Sequence, residues 1–391
     1  MPRWPDLFRA ALVAGLLGLA AHGQAVARAP AQAVEAAWLQ PAFDEAGKWV
    51  GDAFPGAVLA VGQDGRALVV RAFGRLSSAP DAAPMPVDAL FDLASLTKVV
   101  ATTTAAALLV DRGQLELDAP VSRYLPEFGG AAGHDAITVR DLLAHSSGLA
   151  PEGEHWRTAK NAADILAAID RMPVEAPPGT KSVYRDENLM LVAEIVSRVS
   201  GQPFERFVQA NIFRPLGMKD TGFNPGRAEL PRIPPTEIDN RLRNRLVQGE
   251  VHDENAWVMG GIAGHAGLFS TAADLSRLAQ LWLGEGRFRG RRLMQAGTVA
   301  QFRARQNRPE GSTRALGWDT PTLPGGFAGD LASPRAILHT GFTGTSIYID
   351  PDRRAYVILL SNRVNPTREN NRIRAARPAI HNAVLQALDA R

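Results

Sequence analysis

The sequence predicts an α+β protein. An antiparallel sheet is drawn from both ends of the chain, flanked by the N- and C-terminal helices, with a long, mostly helical insertion between them. Three observations lead there. Strand-like runs occur near residues 57–73 and again at 338–360. Helix-period patterns dominate the stretch between. Amphipathic segments at 31–52 and 372–389 bracket the whole. Terminal helices and an antiparallel sheet in this order make a layered fold, with the helices covering one sheet face. A chain of 391 residues is long enough for a sizeable core in one or two domains.

Taken in order, residues 31–52 place Ala, Val, Trp, Leu, Phe and Trp at helical spacing, and Pro55 and Gly56 end that helix. Runs at 57–61 and 67–73 are β-rich, and the Asp64-Gly65 pair between them is a strong hairpin signal. After a loop at 76–86, a long helix is expected to run to Asp111, closed by Gly113. Thr138 is a good N-cap for a helix through Leu143. Helices follow at 160–171, 188–200 and 203–213, the second stopped by Gly201. Residues 224–249, rich in Pro, Arg and Asn, read as a long surface excursion. Thr271 caps a helix through Leu283, and 315–320 could form a strand. Two further strands, 338–349 and 354–360, are joined by Asp350-Pro351-Asp352-Arg353, and a closing helix covers 372–389. No internal repeat is evident.

Composition excludes several function classes. The 43 Lys and Arg nearly balance 40 Asp and Glu, and no long basic run occurs, so no nucleic-acid partner is expected. There is no cysteine, which rules out disulfides, thiolate zinc sites and a cysteine nucleophile. The N-terminus reads as an export leader over residues 1–27. It carries Arg3 and Arg9, an apolar run at 10–21, and Ala25-Val26-Ala27 as a cleavage site. That apolar run is shorter than the ~20 residues needed to cross a bilayer. An exported, periplasmic or secreted protein with no stable membrane span after cleavage is therefore expected.

The chemistry starts at Phe91-Asp92-Leu93-Ala94-Ser95-Leu96-Thr97-Lys98. Ser95 and Lys98 stand three apart at the start of an apolar helix, so they share one face. A lysine withdrawn from water loses its proton more easily, and a neutral amine beside a hydroxyl can activate it as a nucleophile. Alone, such a pair also fits an ordinary helix start and a solvated lysine.

Two later stretches align with it: Tyr184-Arg185-Asp186 ahead of an amphipathic helix, and His339-Thr340-Gly341-Phe342-Thr343-Gly344-Thr345 at a strand. With Ser95 and Lys98 they resemble the three motifs of the serine β-lactamase and penicillin-binding superfamily, in its class C-like form. His145 to Leu149, the Val251–Ala256 stretch and the Gly264–Thr271 stretch resemble flanking segments of its exported members, so the resemblance spans most of the mature chain. It implies a β-lactamase/transpeptidase-like fold. Residues 28–90 and about 300–391 would form its sheet part, and about 91–299 its helical part.

The resemblance also implies acyl transfer. Ser95 attacks a carbonyl, and Lys98, Tyr184 or both take its proton. Backbone N–H groups of Ser95 and Phe342 hold the oxyanion. Thr340, Gly341 and Asp186 contribute to substrate binding, and Gly341 and Gly344 keep the strand edge clear. No cofactor or metal is implied. The partner is a small-molecule or peptide substrate, such as a peptidoglycan fragment.

Two positions depart from the family pattern. His339 stands where β-lactamases carry lysine. With an ordinary pKa near 6.5 it makes carboxylate recognition weaker or pH-dependent, which counts against β-lactam hydrolysis. Asp186 replaces asparagine, and its carboxylate would either accept from a substrate N–H or hold Lys98. The irregular spacing of His252, Asp253, Glu254 and His265 speaks against zinc and for lining or bracing the cleft. His145 would end a helix and pack beneath the site, with Trp257, Trp282 and Trp318 in the core or the cleft wall. The expected function is an exported serine hydrolase cleaving a D-Ala-type peptide or a carboxylic ester. The alternatives are a β-lactamase and a non-catalytic penicillin- or peptidoglycan-binding module.

Overall fold

The computed structural model describes residues 37–391 apart from 152, 323 and 325; the expected leader at 1–27 lies outside the described residues. In chain order the principal elements are α1 (Gln40–Lys48), β1 (Gly56–Gln63), β2 (Arg66–Gly74), α2 (Thr104–Asp111), α3 (Val139–Leu143), α4 (Asp186–Ser200), α5 (Ala272–Leu283), β3 (Ile337–Thr340), β4 (Ser346–Asp350), β5 (Ala355–Ser361) and α6 (Ile373–Asp389).

The five strands form one antiparallel sheet in the order β3-β4-β5-β1-β2. Strands from opposite ends of the chain therefore pair at its centre, from Ala57↔Ser361 to Gln63↔Ala355. The β1–β2 hairpin turns at Asp64 and Gly65, with φ of 52° and 74°. A two-residue hairpin turn of the favoured hand needs both residues in that left-handed region.

Successive residues of a strand face opposite sides, and both sides of this sheet are covered. Ala57, Leu59, Val61, Val357 and Leu359 pack against α1 and α6. Val58, Ala60, Ile347, Ile358 and Leu360 pack into the larger core that holds α2, α4 and α5. Each such Val, Leu or Ile contributes roughly 1.5–3 kcal/mol by leaving water. The sheet flanked by terminal helices, and the helical middle, are as expected. Trp282 and Trp318 meet edge to face in the larger core, 5.3 Å apart.

Several local expectations need correction. The first helix ends at Lys48, not 52, because Gly51 (φ 83°) turns the chain before β1. The strand expected over 338–349 is two antiparallel strands, β3 and β4, divided by a tight turn at Gly341–Thr345. Gly344 makes that turn possible with φ of 115°, a conformation open to glycine. Residues 315–320 contribute only isolated bridges, Arg314 and Leu338 both to Asp319. The excursion at 224–249 is only partly on the surface. It contains the short ladder of Ile238–Asp239 and Arg245–Leu246, and it buries Thr236, Glu237, Asp239 and Val247. Charged Glu237 and Asp239 can be buried because Arg368, His252 and Arg243 are bonded to them. Trp257 is 38 % exposed and bonds Glu250, so it is no part of the core.

Candidate active site

The stretch 91–100 is buried at every residue except Ser95, which is half-buried and open to a cleft. A short ladder of Phe91–Asp92 with Leu268–Ser270 fixes the approach. Ala94 then takes φ of 45°, and its N–H donates to Asp92 Oδ1 at 2.8 Å. This sharp turn presents Ser95 at the start of a helix whose first part, Lys98–Thr103, is a wide π-type turn leading into α2. Such turns are rare and concentrate at functional sites.

Lys98 is fully buried, and its Nζ donates to Ser95 Oγ at 2.9 Å and to the His265 carbonyl at 3.0 Å. Asp186 Oδ1 lies 2.5 Å from the same nitrogen. Burial alone would drive the ammonium toward neutrality. The Asp186 carboxylate, and then Tyr184, outweigh burial and hold Lys98 above its ordinary range. The expected easy loss of its proton is thereby reversed. Of the two roles open to Asp186, the structure shows it holding Lys98. Asp186 is the first residue of α4, where the helix N-terminus favours negative charge.

Tyr184 precedes α4, and its hydroxyl is hydrogen-bonded with both Lys98 and Ser95. Burial pushes the phenol up to about 12, with Lys98 opposing the shift. Its ring lies tilted against the His145 ring, with centroids 4.6 Å apart, and against that of His339 at 6.1 Å. His145 follows α3 with φ of 53°, and its Nδ1 accepts the Arg185 N–H at 3.1 Å. Burial, together with Arg314 and Lys98, holds His145 well below its ordinary value. It is a neutral ring that supports Tyr184 from beneath.

His339 sits on β3 with its Nδ1 3.0 Å from the Thr340 carbonyl. Burial, Lys98 and Arg314 push its pKa down to about 3. It is neutral at every pH near 7, which removes the pH-dependent cation that the motif suggested. Positive charge comes from elsewhere. The cleft, about 330 Å³, runs from Ser95 and Tyr184 past His339 and Phe342 and is lined by Arg314, Arg363, Arg374 and Arg377 against one carboxylate, Asp319. Arg314 stands over the Tyr184 ring at 5.4 Å and pairs with Asp319 at 3.1 Å.

Thr340, Gly341 and Phe342 form the cleft edge beside Ser95. Gly341 N–H donates to Thr345 O at 2.8 Å, closing the turn. A Cβ on Gly341 would overlap Thr345 Oγ1 and the Leu93 carbonyl, so this approach needs glycine. Among the described residues, neither the Ser95 nor the Phe342 N–H has an acceptor within the chain. Two donors of this kind can hold a developing oxyanion.

The other singled-out residues divide into two groups. His265 Nε2 bonds Asp253 Oδ1 at 2.9 Å, while the His265 carbonyl accepts from Lys98. Burial works to raise the Asp253 carboxyl, yet His265 holds it below the usual range. Asp186, Asp253 and His265 approach one another closely enough to share a cation. Lys98 already supplies a cation in contact with Asp186. Glu254 and Glu237 are bridged by Arg368, and the His252 ring stacks 5.5 Å from the Phe342 ring. His252 and Glu254 thus brace the loop behind Phe342. The four cleft arginines were not anticipated from sequence. The one signal was Arg377, placed on the apolar stripe of α6 between Ile373 and Ile380.

One family profile, described as Beta-lactamase, matches residues 31–380. A protein of Salmonella agona (strain SL483), named "Putative D-alanyl-D-alanine carboxypeptidase", is 35% identical over 306 residues, 70% of this chain and 69% of that protein. Two solved structures share the fold. A penicillin-binding protein homologue from Caulobacter crescentus has a TM-score of 0.71 at 22% identity, covering 90% of this chain and 97% of its own. EstCE1, described as a hydrolase with promiscuous acyltransferase activity, has a TM-score of 0.72 at 19% identity, covering 89% and 98%. The chain belongs to the Beta-lactamase family.

Proposed function

We propose that this protein is a serine hydrolase that cleaves the terminal amide of a D-alanyl-type peptide through an acyl-enzyme on Ser95. The observation that carries the reading is Lys98 Nζ, placed between Ser95 Oγ at 2.9 Å and Asp186 Oδ1 at 2.5 Å. As Ser95 Oγ bonds to the carbonyl carbon, Lys98 takes the Ser95 proton, directly or through Tyr184, and in the same step hands one of its own to the Asp186 carboxylate, so that the ammonium stays charged throughout. The Ser95 and Phe342 N–H groups receive the oxyanion. The proton returns from the Lys98–Asp186 pair to the leaving amine as the C–N bond breaks. Water then repeats the sequence and frees Ser95.

The 35% identity to a protein named as a D-alanyl-D-alanine carboxypeptidase supports the peptide substrate. So does the excess of arginine over carboxylate in the cleft, which suits a substrate ending in a carboxylate. We place export to the periplasm or outside the cell in the same proposal. Among the described residues no helix is long and apolar enough to cross a membrane.

The test is labelling with a fluorophosphonate, followed by hydrolysis of D-alanyl peptides, p-nitrophenyl esters and nitrocefin. The expected result is one adduct, lost in Ser95→Ala, and faster turnover of the D-alanyl peptide than of nitrocefin. No adduct on the native protein would leave the non-catalytic binding module standing. Turnover of esters alone would make it a carboxylic ester hydrolase.

A further inference from the structure

The turn between β3 and β4 is held from behind by two buried guanidinium groups. Arg377 of α6 is 5 % exposed, and its Nη2 donates to Gly341 O at 2.6 Å and Thr345 O at 3.0 Å. Arg363, also 5 % exposed, donates through Nε to Phe342 O at 2.7 Å and through Nη1 to the carbonyls of Arg368 and Asn370 at 2.9 Å. Among the described residues, neither has a carboxylate within salt-bridge distance. Burial lowers both, Arg377 to about 9 with the Arg363 guanidinium adding to the shift, and Arg363 to about 10 with Arg374 adding to it and Glu237 opposing it. A buried cation without a counter-ion is costly, and an apolar or neutral side chain of similar size would be cheaper for stability alone.

The bonding pattern shows what these charges reach. Gly341 O and the Phe342 N–H belong to the same peptide unit. Phe342 O, the next carbonyl, is held by Arg363. On the opposite side, Thr343 Oγ1 donates to Asp92 O at 2.8 Å and Thr345 Oγ1 to Leu93 O at 3.0 Å. Those carbonyls lie just ahead of Ser95, whose N–H is the other free donor. The turn is thus tied to the Ser95 segment by two threonines and to the rest of the sheet domain by two arginines.

We propose that Arg377, assisted by Arg363, is a positioning residue of the oxyanion site: it fixes the Gly341–Phe342 peptide and polarises it, so that the Phe342 N–H is a stronger donor to the charge formed during acyl transfer. A cation bonded to the carbonyl end of an amide draws electron density from its N–H end, and linked hydrogen bonds reinforce one another in this way. The effect is spent on the transition state, where the negative charge is greatest, so it acts on kcat. The inference rests on the acyl-enzyme reading above.

The experiment compares the full chain with Arg377→Met, Arg377→Lys and Arg363→Gln. Thermal unfolding checks the fold, p-nitrophenyl butyrate turnover gives kcat and KM, and infrared difference spectra of the Ser95 acyl-enzyme report the ester C=O stretch. Removing an oxyanion donor outright costs about 10²–10³ in kcat, so a polarising partner should cost about 10- to 100-fold. That loss is expected in kcat for Arg377→Met, with KM little changed, the C=O stretch moved to higher wavenumber, and partial recovery in Arg377→Lys. A folded Arg377→Met with unchanged kcat, or with lost activity and an unmoved stretch, overturns the inference. If Arg377→Met does not fold, Arg363→Gln carries the same readouts, with a smaller shift expected and no shift overturning it. Absence of any Ser95 adduct on the native protein defeats the acyl-enzyme reading first. A labelled native protein with indifferent variants defeats only the role of the arginines.

Discussion

Lys98 and His339 show how neighbours redirect a side chain's chemistry. Both are buried. Asp186 keeps the first charged but only weakly opposes the fall of the second. The nearest strong influences on His339 after burial are the cations Lys98 and Arg314. A histidine pushed down to about 3 does not titrate between pH 6 and 8. The ratio of KM for a D-alanyl peptide in native protein to that in His339→Gln is therefore expected to stay constant across that range. A ratio that drifts with pH would show the ring charging in the substrate complex. On this reading any carboxylate is met by arginine, whose charge does not vary near neutrality.

At the scale of the element, local sequence rules were strongest where a few adjacent residues decide the geometry. Thr138 Oγ1 accepts the Asp141 N–H at 3.2 Å, and Asp141 Oδ2 accepts the Thr138 N–H at 3.1 Å, a reciprocal cap that starts α3. Thr138→Ala should cost about 1 kcal/mol in urea unfolding, the usual worth of such a cap. Because α3 leads directly to His145, activity should fall more than stability alone explains. Asp64-Gly65, Thr138 and Gly201 were readable for this reason: each acts on backbone within a few residues of itself.

The turn Gly341–Thr345 was not readable as a turn, because it lies inside an otherwise continuous β-rich run. Its closure depends on Gly344, on bonds donated by Arg377 and Ser361, and on bonds that Thr343 and Thr345 donate to the Asp92 and Leu93 carbonyls, all of these partners distant in sequence. Ser95 and Lys98 stood out by their spacing at a helix start, Tyr184 and His339 through a resemblance to a family, and the structure brings all four together at one cleft. The arginines of that cleft carry no motif. Their charge is set by burial and partners, which only the folded chain displays.

For the whole molecule, buried neutral histidines link stability to pH. His339 and His381 both have folded-state pKa values of about 3, burial being the main cause, and His145 is held well below its usual value. Their unfolded values lie near 6.5. The stability they contribute is present above pH 6.5 and is lost as pH falls toward 3, because only the unfolded chain takes up the protons. Each can remove up to about 1.4 kcal/mol per pH unit in that window. Denaturant unfolding at pH 7.5 and pH 5 should show a clear fall, reduced in His381→Gln if that variant folds. Glu237, held at about 2 by His252 and Arg368 against the cost of burial, adds to the loss only below its unfolded value near 4.3.

The pairing of β1 with β5 also sets a timetable. β1 and β2 can close their hairpin as soon as they are made, but the other edge of β1 must wait for residues 355–361. The intervening chain emerges first, including Ser95 and all of the helical middle. Until its last strands arrive, the growing polypeptide exposes an open β-edge and an apolar surface with nothing to cover them. Such an edge is a template for aggregation. Long-range pairing of this kind also folds slowly. The same late strands carry the turn that borders the Ser95 cleft, so that cleft is complete only once residues 337–361 have joined the sheet.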